Sequence, residues 1–458
     1  MPSEAFDAIL QEVFLYKFGS SSNLNPTGRN SINIVSQVLE LNMFESIFSP
    51  VIKAELLVSD AIGLFVNFPL TGEELVKVSY TTTQDNETRQ EIMVIESVTD
   101  IMVANDNRSM IYKLTLVSLE AWANARRNVQ KAYRGNITDA VKSIYDEFIV
   151  DPLKNVAGSL ARKSFNSTLS VEQQKLIVIP NLKPFAAIKM LAGLINPRSK
   201  ESVSYTFYQN KNGYHFKTLQ DMFARGRTGQ ARLFAKRNGY RYISNEIEDS
   251  DRMSNDNRIV TAITYNRRHS TLDKISTGYF QNKLFEINMA QKAYFVTETR
   301  AAESTNIERN KLNTEVYQNL TPIENSEEAG NRVRYFISNY KENDLSFPVS
   351  EKRERWGLDL IAHIALSQID ITVTIPGDTK LNAGELFYME VPKVQGFNVN
   401  DEDPLISGYF LITEKRDTIN QNGDFSTSLR LQKDSYNTPI DIESKYNKDA
   451  ARDTFIEV

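Results

Sequence analysis

Residues 39–80 read LELNMFESIFSPVIKAELLVSDAIGLFVNFPLTGEELVKVSY, and this stretch decides the fold class. Apolar and polar residues alternate in 53–58 and again in 74–80, where Val76, Val78 and Tyr80 share one face. Turn-forming proline and glycine separate the apolar runs. The pattern predicts a strand, a Ser-Pro break, a second strand, a turn at 60–63, a short strand, a turn at 70–72 and a fourth strand. Short antiparallel strands of this kind usually close into barrels or sandwiches.

A similar pattern returns near the other end of the chain. The segment 72–75 (GEEL) opens a strand, and so does 384–387 (GELF). Each is followed by two alternating strands with a polar turn between them: 92–99 and 111–118 in the first case, 409–415 and 425–432 in the second. The order and spacing predict two related barrels with an insertion between them. Coincidence of β patterning is the alternative, because hairpins resemble one another.

The composition indicates a cysteine-free globular chain of several domains. The 458 residues include no cysteine, which excludes disulfides, thiolate catalysis and cysteine metal sites. The net charge of −5 argues against extensive wrapping of nucleic acid. The N-terminus lacks the basic region of a signal peptide, and no apolar run approaches the ~20 residues that span a bilayer. We therefore expect a soluble chain made in the cytoplasm.

The remaining segments mix helix and strand. We expect helices at 1–18, 119–134, 138–148, 185–195 and 351–368. Strands are expected at 175–180, 202–208, 214–218, 259–265, 278–285 and 369–375, with the first of these buried. Residues 151–169 and 246–256 are polar and are expected to be irregular, 306–330 reads as a helix and loop, and 438–458 as an extended tail.

The residues give little support to catalysis. The glycines of 226–229 are followed by lysine only at 236, too late for a phosphate loop. The histidines His215, His269 and His363 are isolated and are expected to be structural. The acidic clusters 246–251 and 401–403 lie in polar loops, where we expect every carboxyl group to be ionised. A glycosidase needs one carboxyl group whose pKa is raised by an apolar pocket. We predict no catalytic residue, no cofactor and no metal site.

One basic segment stands out as a candidate partner site. Arg225, Arg227, Arg232, Lys236, Arg237 and Arg241 lie in seventeen residues without an acid, interleaved with aromatic residues. This composition could follow a phosphate backbone or contact an acidic protein surface. A solvated face, neutralised by the acidic residues downstream, is the alternative.

Taken together, the chain resembles the baseplate hub proteins of contractile-tailed bacteriophages, which are related to the N-terminal part of type VI secretion spike proteins. Three segments carry the resemblance: FESIFSPVIKAELLVSDAIG with FPLTGEE, IPNLKPFAAIKMLAGLI followed by YTFYQNKNGYHFKTL, and ITVTIPGDTKLNAGELFYMEVP. It covers nearly the whole chain. No spike or lysozyme module is present, which leaves open whether a separate chain supplies them.

The resemblance implies a β-rich α+β fold with two similar antiparallel β-barrel domains and an intervening α/β domain. The expected boundaries are 1–125 for the first barrel, 126–255 and 301–350 for the intervening domain, 256–300 and 351–437 for the second barrel, and 438–458 for the tail. It also implies a trimer between a hexameric tail tube and a threefold spike. Three chains with two barrels each would supply six similar barrels around one axis.

The implied partners are a second copy of the chain, the tail tube or its initiator, the spike, the baseplate wedge proteins, and genomic DNA only in transit. The implied location is the tail baseplate of the virion. A glycan hydrolase or receptor-binding adhesin of the tail is the competing class, and an adhesin should carry exposed aromatic residues in its loops.

Overall fold

The computed structural model describes residues 7–17, 30–83, 88–103, 109–157, 163–168, 175–195, 204–223, 230–237, 239–242, 258–268, 270–300, 312–313, 331–338, 349–392, 403 and 406–436. The fold is a β-rich α+β fold, as the sequence predicts. The largest sheet contains fourteen strands and includes both barrels.

The N-terminal part of the chain forms the first barrel. Its elements are β1 (Ala8–Tyr16), β2 (Ser31–Asn33), β3 (Val38–Ser46), β4 (Lys53–Asp60), α1 (Leu64–Asn67), β5 (Leu75–Thr82), β6 (Thr88–Val103) and β7 (Met110–Ser118). The antiparallel pairings run β2-β1-β5-β6-β7-β4-β3. Since β2 and β3 are consecutive stretches of one segment, separated by a 3₁₀ turn at Val35–Gln37, this series of pairings closes into a barrel.

An α/β region follows the first barrel. Its elements are α2 (Leu119–Arg126), β8 (Ala132–Gly135), α3 (Ile137–Ile144), a π-helical turn (Tyr145–Val150), α4 (Asp151–Ala157), β9 (Phe165–Ser167), β10 (Lys175–Val178), α5 (Pro184–Ala192), β11 (Tyr205–Asn210), β12 (Gly213–Thr218), α6 (Leu219–Met222) and α7 (Gln230–Arg237). Strands β8 and β10 form a two-stranded ribbon, and β11, β12 and β9 form a small sheet. The apolar side chains of α3 and α5 pack between them.

The C-terminal part contains the second barrel and an insertion. Its elements are β13 (Tyr240–Tyr242), β14 (Ile259–Val260), β15 (Ala262–Arg268), α8 (Thr271–Thr277), β16 (Gln281–Asn288), β17 (Ala293–Arg300), β18 (Asn331–Ser338), α9 (Val349–Leu366), β19 (Ile369–Pro376), β20 (Leu386–Glu390), β21 (Gly408–Asn420) and β22 (Phe425–Lys433). The pairings run β14-β13-β20-β21-β22-β19-β15. Only Thr261 separates β14 from β15, so this series closes as well.

The two barrels have the same strand order. Strands β4, β5, β6 and β7 correspond to β19, β20, β21 and β22, and the interrupted segment β2–β3 corresponds to β14–β15. The registers agree too: a bulge follows the pair Ile95–Leu116 between β6 and β7, and another follows Ile412–Leu431 between β21 and β22. One difference is that β13 runs parallel to both of its neighbours, whereas β1 is antiparallel to its own. The expectation of two similar barrels is confirmed.

The insertion separates two strands of the second barrel. Strands β16, β17 and β18 form a sheet of their own between β15 and β19, and α9 contacts β16 and β17. In the first barrel the corresponding connection, from β3 to β4, is a short turn. Two groups of strands therefore pair with strands of a different domain from the one in which they were expected. Strand β13 pairs with β20 of the second barrel, and β16 and β17 pair with β18 outside it.

The predicted N-terminal helix is wrong. Residues 8–16 form strand β1, paired with β5 along its length. Phe6, Ile9, Leu10, Val13 and Phe14 can be drawn as a helical stripe, but Ile9 is 51% exposed while Val13 is fully buried. Alternation, and not a period of 3.6, describes this segment because it pairs with a strand that lies far along the chain, from Leu75 to Thr82.

Four other local predictions are corrected. The short strand expected after the 60–63 turn is α1; the N–H groups of Ile62 and Gly63 before the helix, and of Leu64 at its start, donate to the Asp60 carboxylate at 2.7–3.0 Å. The helix expected at 119–134 ends at Arg126, since the following residues pair as β8 with β10. Helix continues through α4 where irregular chain was expected, because Ile149 and Leu153 supply a buried stripe. Strand β10 is half-exposed: Val178 is 64% accessible.

Other predicted elements agree with the structure. Pro184 opens α5, residues 205–218 form the predicted hairpin, and α9 and β19 lie where expected. The acidic residues 246–256, the tail 438–458 and all but two residues of 306–330 lie outside the described residues.

Candidate assembly site at the junction of the barrels

Strand β21 belongs to both barrels. Its first residues, from Gly408 to Leu411, pair with β20, and its last seven, from Glu414 to Asn420, pair with β3 of the first barrel. Both contacts use the same edge of β21, since β22 occupies the other. A continuous backbone ladder therefore joins the two barrels.

Four charged side chains are buried where this ladder crosses between the barrels. Arg89 of β6 donates to Glu45 of β3 at 2.9 Å and lies 3.4 Å from Asp417 of β21. Lys415 lies 2.9 Å from the same Asp417 carboxylate, which also accepts from the Thr427 hydroxyl at 2.8 Å. The charged side chains are at most 6% exposed. Two acids and two bases thus neutralise each other without solvent.

The electrostatics of Glu45 show how the cluster is held ionised. Burial favours the neutral acid, but the charges of Arg89 and Lys415 and an N–H from Ala383 together lower the pKa of Glu45 below its ordinary value. Removing one partner from a buried ion pair leaves an uncompensated charge, which typically costs about 3–5 kcal/mol. We therefore expect the cluster to act as a lock between the barrels.

The β11–β12 hairpin of the α/β region reaches the same carboxylate. The backbone N–H of Lys211, at the hairpin turn, donates to Glu45 at 3.0 Å, and that of Ala383, between β19 and β20, donates to its other oxygen at 3.3 Å. Asn210 adds a bond to the Ala383 carbonyl at 3.0 Å. One carboxylate thereby ties together the first barrel, the hairpin and the second barrel.

Gln209 fixes the hairpin to the first barrel in the same way. Its side-chain oxygen accepts from the Ile52 N–H at 3.2 Å, the Ser118 hydroxyl at 2.9 Å and the Tyr214 hydroxyl at 3.1 Å. Gln209 is fully buried. Two neighbouring residues of the hairpin therefore bind different barrels: Gln209 binds the first and Asn210 the second. The hairpin thus helps to fix the position of one barrel relative to the other.

The basic segment divides into internal and exposed parts. Arg225 and Arg227 lie outside the described residues. Arg232 is used within the chain: its guanidinium donates to the Leu312 carbonyl and lies 5.1 Å from the ring centroid of Tyr409. Lys236 and Arg237, on the last turn of α7, are exposed.

Arg241 is exposed on β13, 3.3 Å from Glu390. The structure thus leaves Lys236, Arg237 and Arg241 as the surface members of the described part of the segment. Contact with a partner stays a prediction.

The other candidates from the sequence have structural surroundings where they are described. His215 is buried, stacks on Tyr208 and lies 2.8 Å from the Asn210 side chain; burial lowers its pKa to about 4. His363 hydrogen-bonds Ser204, and burial lowers its pKa too. His269 and most of both acidic clusters lie outside the described ranges. Within those ranges, no three histidine or acidic side chains converge as metal ligands would.

Sequence reasoning missed the ionic cluster. Its members lie far apart in the chain, with Arg89 and Asp417 separated by 328 residues. The available signal was the charged run 414–417 (EKRD), which follows the apolar residues 409–412 (YFLI) in one strand; charges that a strand buries are expected to be paired.

The arrangement is typical of a structural scaffold, because its buried charged groups hold domains together and are closed off from solvent. None of the helices in the described ranges has the combined length and hydropathy that crossing a bilayer requires.

Comparison with known proteins shows what the chain is similar to. No family model matches the chain. The probable baseplate hub protein gp334 of Vibrio phage KVP40 is 20% identical over 436 residues, 88% of this chain and 91% of that protein. The tail protein from Neisseria meningitidis MC58 aligns with a TM-score of 0.50 and 11% identity, covering 94% of this chain and 98% of that one. The 43 kDa tail protein of prophage MuSo2 from Shewanella oneidensis gives 0.49 and 12%, covering 94% and 100%. The chain is therefore similar in sequence to a probable baseplate hub protein and in fold to the tail protein from Neisseria meningitidis.

Proposed function

We propose that the chain is the central hub of a contractile-tail baseplate: a homotrimeric ring with quasi-sixfold symmetry that joins a hexameric tail tube to a trimeric cell-puncturing spike. The observation that carries the proposal is the identical strand order of the two barrels. Three chains present six barrels of one strand order, which matches a sixfold tube, while the α/β region and the inserted sheet occur three times and match a threefold spike.

The proposed role is structural and not enzymatic. Its partners are further copies of the chain, the tail tube or its initiator, the spike and the wedge proteins, with genomic DNA only passing through the lumen. The chain would be made in the host cytoplasm and act in the virion. We assign Lys236, Arg237 and Arg241 as the contact to an acidic neighbour. Arg232 is left out because its guanidinium is bound within the chain, by the Leu312 carbonyl and the Tyr409 ring.

The experiment is light scattering and electron microscopy on the purified chain at its highest soluble concentration. The expected mass is three times 52.2 kDa, and class averages should show six lobes around a lumen. A monomer or a dimer under these conditions would contradict the proposed ring. Glycan turnover that one carboxylate substitution abolishes would instead favour the hydrolase alternative.

A further inference from the structure

The two equivalent strands β6 and β21 differ in how their second halves are paired. In β21 the residues after the bulge pair with β3 of the other barrel. In β6 the corresponding residues Ser97–Thr99 pair only with β7, because the ladder with β5 stops at Val94; Met102 and Val103, beyond a second register shift, also pair only with β7. Among the described strands, this half of the β6 edge has no ladder partner.

The complementary edge is left over in the second barrel. Strand β3 pairs with β4 on one side and with β21 on the other. Its equivalent, β15, pairs with β19 alone among the described strands. Each barrel therefore has two edges that can form such a junction: β6 and β3 in the first barrel, β21 and β15 in the second. The internal junction uses the edges of β21 and β3, which leaves those of β6 and β15.

We propose that the end of β6 in one chain pairs antiparallel with β15 of the next chain, repeating the β21–β3 junction between subunits. The inference rests on the proposed ring and identifies the surface that closes it. Such a contact joins two different edges, so it propagates head to tail and closes into a ring when the rotation permits.

The apolar residues at the end of β6 are exposed, as expected of a strand that pairs with another subunit. Ile101, Met102 and Val103 are 52%, 62% and 55% exposed, although successive strand residues point to opposite faces. An exposed apolar edge strand is a template for pairing with another chain.

The internal junction also fixes the register between subunits. Arg416 faces Phe44 across the β21–β3 ladder. The two barrels can be aligned through their shared strand pairings. Thr99 is paired with residue 113 of β7, and Arg416 is paired with the equivalent residue 428 of β22, so Thr99 takes the position of Arg416. Arg267 takes the position of Phe44, since it is opposite 370 where Phe44 is opposite 53. Thr99 of one chain should therefore face Arg267 of the next.

The absence of cysteine makes disulfide crosslinking a direct test. The variant Thr99→Cys/Arg267→Cys should oxidise to a covalent trimer on a non-reducing gel and return to monomer on reduction. The control Thr99→Cys/Ala262→Cys is displaced by four positions of the ladder, or about 13 Å, beyond the ~7 Å that a disulfide can bridge, and should stay monomeric. Phe44→Cys/Arg416→Cys should form the equivalent bond within one chain and shows that this ladder geometry oxidises.

Light scattering on the same samples separates the two proposals. A trimer that crosslinks only in the first variant supports the β6–β15 contact. A trimer that does not crosslink there, while the intrachain control does, overturns this contact and leaves the ring intact. A monomer without crosslinks overturns both. A covalent dimer of the single variant Thr99→Cys would show β6 pairing with itself and would also overturn the contact.

Discussion

The glycines that open the two equivalent strands β5 and β20 give a matched pair of substitutions. Gly72 and Gly384 both have left-handed backbone, with φ of +84° and +87°. A side chain in this conformation costs about 1–2 kcal/mol at either position. The surroundings differ: a Cβ at Gly72 would meet nothing within 4 Å, whereas one at Gly384 would lie 2.7 Å from the ring carbon Cζ of Tyr208 and closer still to its hydroxyl.

Tyr208 has little freedom to move away. It is 1% exposed and stacks on the His215 ring with centroids 5.0 Å apart. Forcing an extra carbon into a packed site costs about 1–3 kcal/mol. We therefore expect Gly72→Ala to lower the free energy of unfolding by about 1–2 kcal/mol and Gly384→Ala to lower it by about 2–5 kcal/mol, the sum of both effects.

Urea titration followed by circular dichroism measures both losses. The left-handed penalty is common to the two variants, so their difference isolates the contact with Tyr208. Adding Tyr208→Leu should bring the loss caused by Gly384→Ala down to that of Gly72→Ala. Equal losses in the two single variants would refute the reasoning, because they would mean that the hairpin does not press against this turn.

Four further outcomes are expected. Arg89→Met should lower the free energy of unfolding by about 3–5 kcal/mol, because the buried carboxylate of Glu45 loses its ion-pair partner while Asp417 keeps only Lys415; Lys131→Met, at the exposed pair with Glu147, should lower it by under ~1 kcal/mol. The stability contributed by ionised Glu45 is present above its ordinary pKa of 4.5 and is lost as pH falls below it, so this acid-dependent loss should shrink in Arg89→Met. Burial lowers the pKa of His215 from 6.5 to about 4, so the folded protein resists protonation of this ring and its free energy of unfolding should fall by about 3 kcal/mol as pH drops from 6.5 to about 4. In His215→Gln, urea titrations across that range should not show this fall. Converting Lys236, Arg237 and Arg241 to Gln should weaken assembly at low salt and much less at high salt, as measured by light scattering; unchanged assembly would favour a solvated face.

The strands that could be predicted are those in which one sequence pattern had one physical meaning. Strand β19 alternates cleanly, and its buried residues Ile371, Val373 and Ile375 lie on the interior face. The repeated Gly-Glu turn marked the duplication because both glycines need left-handed backbone. Helix α5 followed from Pro184 at a position where a missing N–H is tolerated.

The failures occurred where a distant partner decides the conformation. Residues 8–16 satisfy a helical stripe as well as a strand, and only the pairing with β5 selects the strand. Residues 132–135 follow a helical composition but pair with β10. The ionic cluster could not be foreseen for the same reason: Glu45 and Arg89 read as solvent-facing residues until β21 covers them.

The internal junction and the proposed subunit contact use equivalent edges but different chemistry. Within the chain, the ladder is sealed by buried charges and by the hairpin, so the two barrels are placed before any assembly begins. At the β6 end the last three residues, 101–103, are apolar and exposed, and the charged groups beside them form surface pairs rather than a buried cluster. Covalent linkage raises the effective concentration of one barrel for the next, so a ring of six barrels needs only three intermolecular contacts. A strong, preformed junction alternating with a weaker one would keep the free chain from polymerising while letting three copies close, since the third contact within a trimer is intramolecular as well.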